Sequence, residues 1–184
     1  MKELVEILSS KYRLTGVDYQ RDDLVFITVG KENAIDIVTY LKEYQGFTHL
    51  VLLSCVDWIE EDVFQLTYLL NQPDKRYDIG VRTMIDRNNA EMVSCHHLWR
   101  QVATYQRELH EMYGINFPGS PRIDENFILE GWDQMPPMRR DFDTLKYAED
   151  TFVFREGRET NDPATYMKEK LYPDNSKTDQ VDKK

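Results

Sequence analysis

Cysteine and glycine are too scarce, and too badly spaced, to build the common cofactor sites. The two cysteines, Cys55 and Cys95, form no C-x-x-C pair, which excludes the usual zinc-ribbon, iron–sulfur and thioredoxin-like motifs. None of the eight glycines belongs to a G-x-G-x-x-G or P-loop motif that would bind phosphate groups. We therefore expect two buried thiols in a chain that itself binds no metal and no cofactor, and that has no catalytic residues.

Basic residues and long apolar runs are also in short supply. The chain has 23 Lys and Arg against 33 Asp and Glu, and its net charge of -10 makes it a poor partner for nucleic acid. No apolar run approaches the roughly 20 residues that a membrane-spanning helix needs. The N-terminal segment, MKELVEILSSKY, lacks the apolar core of a signal peptide. The sequence predicts a cytoplasmic protein that meets a membrane only through partner subunits.

The hydrophobic pattern of the first two thirds of the chain predicts an α+β domain. In order, it predicts a helix at 4–12, strands at 17–20 and 24–29, a helix at 31–44, strands at 48–58, 63–70 and 77–85, and a helix at 97–113. The nearly all-apolar run 48–58 is typical of a strand buried on both faces. Short connections make neighbouring strands antiparallel, so we expect an antiparallel or mixed sheet with helices packed on one face.

The pattern changes after Gly114, where a long irregular arm is predicted. Six of the seven prolines lie at or beyond Pro118. A stretch of this length without regular structure is either functional or disordered, and its many aromatic residues favour function. We expect those rings to be buried on another protein. The predicted parts are a globular domain at 1–114, an extended partner-binding arm at 115–173 and a flexible tail at 174–184.

Two clusters of reactive side chains have ordinary structural explanations. Cys95, His96 and His97 are adjacent, but neither histidine is followed by a ligand one helical turn later, which favours a helix start over a metal site. His110 could act as a general base, yet no nucleophile accompanies it, so a packing or interface role is expected. A stand-alone enzyme that uses these residues is the alternative, and stoichiometric zinc or iron in the purified protein would support it.

Charged residues beside aromatic ones predict a partner interface that spans the last helix and the arm. Such charges can form bidentate pairs that fix the register between two chains. Ordinary surface charge is the alternative explanation. The predicted interface residues are Arg107, Glu108, Phe117, Trp132, Arg139, Arg140, Asp141 and Phe142.

These residues carry a resemblance to a known family. The stretch 107–142, RELHEMYGINFPGS…LEGWDQMPPMRRDF, resembles the signature region of the C subunit of respiratory complex I, the NADH–quinone oxidoreductase. The matching motifs are Arg107-Glu108, Tyr113-Gly114-Ile115, Gly119-Ser120-Pro121, Gly131-Trp132 and Arg139-Arg140-Asp141-Phe142. Upstream, SCVDW at 54–58 and FQLTYLL at 64–70 resemble the family's paired strands. The chain departs from the pattern at Gln106, His110 and Asp124-Glu125, and the last departure alters the charge that faces a partner.

The resemblance implies a role in electron transport without an active site in this chain. The C subunit of that family binds no cofactor, and it packs against the iron–sulfur subunit and the large, hydrogenase-like subunit near the quinone site. By resemblance, we expect a structural subunit of an ion-translocating NADH–quinone oxidoreductase, peripheral on the cytoplasmic face of the membrane, with iron–sulfur clusters in its partners. The equivalent subunit of an energy-converting nickel–iron hydrogenase, or of a ferredoxin- or deazaflavin-linked complex, is the alternative. A soluble adaptor unrelated to redox chemistry is a third hypothesis.

Overall fold

The computed structural model describes residues 1–152 of the 184-residue chain. The predicted tail at 174–184 and the last part of the predicted arm lie outside the described residues. The elements in this range are α1 (Lys2–Lys11), β1 (Leu14–Arg21), β2 (Leu24–Val29), α2 (Lys31–Gln45), β3 (His49–Trp58), β4 (Val63–Gln72), β5 (Tyr77–Asp86), α3 (Val102–Tyr113) and α4 (Thr144–Thr151).

The five strands form one mixed sheet in the order β1-β2-β5-β4-β3. Three short connections, β1 to β2, β3 to β4 and β4 to β5, give antiparallel neighbours. β5 then lies beside β2 in the parallel direction. The predicted α+β class and the mixed sheet are confirmed.

One face of the sheet forms the core together with the helices. Inward-pointing residues alternate along the strands, as the period of two requires. α1 contributes Val5 and Leu8 to this core. α2 is followed by Gly46, whose φ of 75° is a left-handed conformation that glycine adopts without strain. The buried core residues of α2 are Ala34, Ile37, Val38 and Leu41.

β3 is an edge strand with one exposed face, so the prediction that it is buried on both faces is wrong. Leu53 and Cys55 point into the core, whereas Val56 and Trp58 are 43% and 41% exposed. The free edge of β3 is covered by side chains from the chain before and within α3. The carbonyl oxygens of Thr48, Leu50 and Val51 accept hydrogen bonds from Trp99, Gln101 and Tyr105, respectively. These contacts block the edge against pairing with another strand.

α3 begins at Val102, five residues after the predicted start at residue 97. The preceding residues form turns in which Leu98 N–H bonds to Cys95 O and Val102 N–H bonds to Trp99 O. Leu98 is half-buried and fits the apolar spacing of the helix, but it lies in a turn outside the helix. The helix ends at Gly114, whose φ is 76°, as predicted.

The first compact unit of the chain extends from Met1 to Asp143, beyond the boundary predicted at residue 114. Ile115 and Phe117 are completely buried, and Asn116 exchanges backbone hydrogen bonds with the segment at 90–92. We call residues 115–143 the inner arm, because they fold onto the domain. The second unit begins at Thr144 and contains α4.

Candidate partner-docking site

Arg107 and Glu111, one turn apart on α3, hold the middle of the inner arm. The Arg107 guanidinium donates hydrogen bonds to the carbonyl oxygens of residues 125 and 126, at 3.2 and 2.5 Å. The Glu111 carboxylate accepts the backbone N–H groups of residues 127–129, at 2.6, 2.9 and 3.0 Å. Arg107 therefore binds carbonyl oxygens of the inner arm, and Glu111 binds its N–H groups. We call Arg107 and Glu111 the helix anchor.

Asp57, Arg87 and Asp141 hold the end of the inner arm. Arg87 follows β5, and it donates to both carboxylate oxygens of Asp57, at 2.8 and 3.1 Å. The same guanidinium donates to Asp141 at 2.6 Å. The side chains of Arg87 and Asp57 are only 7% and 2% exposed. Because Asp141 lies in the inner arm, this buried bidentate pair of the sheet is also a point of attachment. We call these three residues the strand anchor.

Arg139 joins the inner arm to the domain at a third place. Its guanidinium donates to the carbonyl oxygens of Tyr113 and Arg87, at 2.8 and 3.3 Å. It also lies 5.2 Å from the centre of the Phe64 ring, within the range of a cation–π interaction. Arg139 thus closes the chain over the end of α3 and the end of β5.

Arg140 also attaches the inner arm to the domain, through two contacts that differ in their contribution to stability. Its backbone N–H donates to the buried Asp57 carboxylate at 2.9 Å. Its guanidinium pairs with Glu60 at 2.6 Å, but both side chains are more than half exposed, so this pair adds little to stability. The charged residues at 139–141 therefore bind within their own chain, and their role in fixing the register between chains stays a prediction.

Three anchor carboxyl groups have lowered pKa values. Burial raises the pKa of Asp57, but hydrogen bonds from Arg87 and a backbone N–H, and the charges of nearby arginines, lower it further than burial raises it. Burial also raises the pKa of Glu111, but the hydrogen bonds from three backbone N–H groups have the larger effect, so its pKa is lowered. The hydrogen bond from Arg87 lowers the pKa of Asp141.

Acid is expected to weaken the attachment of the inner arm. The folded-state pKa values of Asp57, Glu111 and Asp141 lie below their unfolded values of about 4. Their stabilisation is therefore complete above about pH 4 and is lost as the pH falls through the folded-state values. Urea unfolding between pH 7 and pH 2.5 should show this decline, and Asp141→Asn should make it shallower. A variant whose decline is as steep as that of the wild type would exclude Asp141 from the effect.

Between the two anchors, apolar side chains point into solvent. Ile128, Met135 and Met138 are 65%, 43% and 55% exposed. Trp132 contacts this part of the inner arm. The centre of its ring lies 5.6 Å from that of Phe142, and its indole N–H donates a hydrogen bond to the carbonyl oxygen of Met135 at 3.0 Å. Three exposed apolar side chains close together in sequence, in a segment that is held in place, make this part of the inner arm a candidate site of interaction. We call Ile128, Met135 and Met138 the apolar ridge.

Apart from Arg107 and the charged residues at 139–141, the predicted interface residues fall into three groups. Phe117 is completely buried in the core of its own domain, so the prediction that it contacts a partner is wrong. Its neighbours pair with the segment at 90–92, which draws the ring inward. Glu108 is half-buried on α3 and takes no part in either anchor. Trp132 and Phe142 are partly exposed next to the apolar ridge.

Sequence reasoning missed three anchor residues, namely Asp57, Arg87 and Glu111. Asp57 gave a signal, because it is a carboxylate at an inward-pointing position of an otherwise apolar strand. A buried carboxylate needs a cationic partner, and this requirement predicts an arginine in contact. Nothing local indicates Arg87, which follows β5 thirty residues along the chain.

The clusters considered for catalysis have structural roles. His110 Nδ1 lies 3.0 Å from the carbonyl of Ile115 at the end of α3. Burial raises the pKa of the Cys95 thiol to about 12 and raises that of Cys55 as well, so both thiols are unreactive. Within residues 1–152, no three His, Cys, Asp or Glu side chains are grouped so that they could hold a metal ion.

The anchors and the ridge lie in a region that is similar to known proteins. The family described as respiratory-chain NADH dehydrogenase, 30 Kd subunit, matches residues 27–148. The C subunit of NADH-quinone oxidoreductase from Moorella thermoacetica is 28% identical over 120 residues, which cover 65% of this chain and 80% of that protein. The C/D subunit from a Hydrogenobaculum species is 31% identical over 139 residues, which cover 74% of this chain and 24% of that protein. The chain thus matches about a quarter of the C/D protein's length.

The fold also occurs in a membrane-bound assembly. One chain in the structure of the membrane-bound sulfane sulfur reductase, an archaeal respiratory membrane complex, superposes with a TM-score of 0.78. The two chains are 23% identical, and the match covers 88% of this chain and 96% of that chain. This similarity establishes a common fold. None of the helices described in this chain has the length and the apolar character required to cross a membrane.

Proposed function

Because the chain belongs to the family of the 30 kDa subunit of respiratory-chain NADH dehydrogenase, we propose that it is a structural subunit of a complex I-type oxidoreductase. In this role the chain has no active site of its own, and its inner arm is the surface that binds a neighbouring subunit. The observation that carries the proposal is the inner arm itself, which charged anchors fix at its middle and at its end while its apolar ridge stays exposed.

The anchors make the inner arm a preformed binding surface. Fixing the backbone of one residue costs about 1–2 kcal/mol, and a loop that orders only on binding subtracts this cost from its affinity. Here the ordering is supplied by Arg107, Glu111 and Arg87 within the chain. The free energy gained when the apolar ridge is buried is then available for association.

The partner is proposed to be another subunit of the same complex. In the Hydrogenobaculum relative, one polypeptide is named for both the C and the D subunit. Joining two parts in one polypeptide holds them at a high effective concentration, and separate chains that must stay together need an interface instead. We place the subunit that corresponds to the D part against the apolar ridge. The iron–sulfur subunit and the large, hydrogenase-like subunit are the neighbours that the family resemblance implies.

The cofactors are proposed to reside in those neighbours. Electrons from NADH or another low-potential donor would reach quinone through iron–sulfur clusters outside this chain. The chain would lie on the cytoplasmic face of the membrane and contact the bilayer only through its partners. Metal analysis of the isolated chain should detect no stoichiometric iron, nickel or zinc, and stoichiometric metal would favour a stand-alone enzyme.

Removing the apolar ridge is expected to release the partner subunits without unfolding the chain. Ile128→Ser combined with Met138→Ser replaces two side chains that are 65% and 55% exposed, so the free energy of unfolding should change by less than about 1 kcal/mol. Burying each side chain in an interface is worth about 1.5–3 kcal/mol, and the affinity should fall at least tenfold. The amounts of identified partner subunits that co-purify with the tagged chain in mild detergent measure this loss.

A matched control introduces two serines at other exposed apolar positions of the domain. Val17→Ser with Tyr44→Ser changes side chains that are 40% and 76% exposed on β1 and α2. This variant should retain its partners at the wild-type level. Equal recovery of the subunits with both variants would refute the proposed role of the inner arm.

A place in a different membrane-bound respiratory assembly is the second candidate function. The fold is shared with a chain of the sulfane sulfur reductase complex, so the fold does not separate the two possibilities. The co-purifying subunits do so. An NADH-oxidising flavoprotein would indicate complex I proper, whereas a nickel-containing large subunit would indicate a hydrogenase-type complex.

A further inference from the structure

We propose that the partner surface that receives the apolar ridge has a rim of basic side chains, so that the interface is apolar in its centre and electrostatically steered at its edge. This inference rests on the proposed function, because it concerns the partner of the same surface. It follows from the way charge is distributed along residues 121–143, the part of the inner arm that carries the ridge.

All three basic residues of this segment are engaged within the chain. Arg122 lies 3.6 Å from the carboxylate of Glu125. Arg139 is bound to two backbone carbonyl groups of the domain. Arg140 pairs with Glu60 at 2.6 Å. The positive charges that could attract an acidic partner are thus already neutralised or directed at the domain.

The carboxylates next to the ridge are oriented to solvent. Asp124, Glu130 and Asp133 are exposed, and none forms an ion pair with any residue of the described part of the chain. In sequence, Glu130 and Asp133 lie between Ile128 and Met135, two members of the apolar ridge. An approaching molecule therefore meets exposed apolar side chains beside carboxylates that have no cationic partner among the described residues.

This combination selects the chemistry of the partner. A nucleic acid or an anionic lipid surface would be repelled by the carboxylates. A protein groove with an apolar floor and lysine or arginine at its edge would satisfy both features. Complementary rim charges raise the association rate and suppress wrong partners, and their effect is screened by salt. The carboxylates thus supply specificity to a ridge whose apolar side chains supply affinity.

Charge reversal tests the inference. The probe is the complex purified from cells that lack this chain, to which the full-length purified chain is added. Glu130→Lys combined with Asp133→Lys should weaken binding about 10- to 100-fold at 50 mM salt, mainly through slower association. The wild type should lose affinity as the salt concentration rises to 500 mM, and the variant should not.

The control carries the same change of charge at the other end of the sheet. Asp22→Lys with Asp74→Lys lies in the turns that precede β2 and β5, whereas the strand anchor lies after the end of β5. Ten residues of strand separate these ends by roughly 30 Å, which exceeds the Debye length in 0.1 M salt. The control should therefore bind as the wild type does.

The two proposals fail in different ways. If Ile128→Ser with Met138→Ser abolishes binding while charge reversal leaves affinity and salt dependence unchanged, the inner arm is the interface and the basic rim is refuted. If charge reversal strengthens binding, the rim of the partner is acidic and the inference is overturned. If the wild-type chain does not bind the depleted complex at all, the proposed function and the inference both fall.

Discussion

Replacing Arg87 by alanine is expected to lower the free energy of unfolding by about 3–5 kcal/mol. The guanidinium is 7% exposed and is the only cationic side chain within ion-pair distance of Asp57 among the described residues. Without it, a carboxylate that is 2% exposed stays buried without a cation, and Asp141 loses its attachment as well. Urea unfolding at pH 7, followed by far-UV circular dichroism and tryptophan fluorescence, measures the change.

A matched arginine and a double variant separate burial from charge. Arg21→Ala removes an arginine that also pairs with an aspartate, but its side chain is 61% exposed, so a loss below about 1 kcal/mol is expected. Asp57→Ala in the Arg87→Ala background removes the unpaired charge and should recover part of the lost stability, with a coupling energy of about 1–3 kcal/mol. Losses of equal size at Arg87 and Arg21 would show that the strand anchor is no stronger than a surface pair.

The elements of the sheet could be predicted from the sequence because their signal is local. β4 and β5 alternate between inward and outward residues apart from the buried Thr67 and Gly80, and short turns determine that the two strands are antiparallel. The start of α3 could not be placed in this way. Leu98 continues the apolar spacing of the helix, although its N–H closes a turn with Cys95 instead of a helical bond. The spacing of apolar residues indicates which side chains are buried. It does not indicate whether a backbone N–H forms a helical hydrogen bond or closes a turn.

Some charged residues of the site were found from the sequence, but the groups that they bind were not. Arg107, Arg139 and Asp141 were predicted as members of an interface from their position beside aromatic residues. Whether such a charge pairs within its chain or with another chain depends on contacts that are distant in sequence. Asp57 and Asp141 reach the same guanidinium, although 84 residues separate them. Only the folded sheet brings them together.

The expectation that an irregular aromatic segment must be covered by a partner does not apply to every ring of the inner arm. Phe117 is buried in its own domain because the chain beside it pairs with residues 90–92. Ile128, Met135 and Met138, which are not aromatic, are exposed to solvent instead. Charged anchors thus fold the segment back on the domain and select which of its apolar residues are available to a partner.

Glu111→Ala is expected to release the middle of the inner arm while the sheet stays folded. The carboxylate accepts three backbone N–H groups, and a hydrogen bond to a charged group contributes about 1.5–3 kcal/mol. Losing this amount of local stability corresponds to a rise in amide hydrogen exchange of about 10- to 100-fold. Hydrogen exchange followed by NMR or mass spectrometry should show this rise at residues 127–129, with the amides of β4 unchanged.

Glu108→Ala is the matched control, because it removes the same side chain from the same helix without touching the three amides. Its exchange rates at residues 127–129 should equal those of the wild type. Glu111→Gln should fall between the two, since the amide oxygen of glutamine can still accept a hydrogen bond but carries no charge. If all three variants exchange as the wild type does, the contacts of Arg107 and Arg139 are sufficient to hold the inner arm. In that case the ordering of the ridge would not depend on the carboxylate of α3.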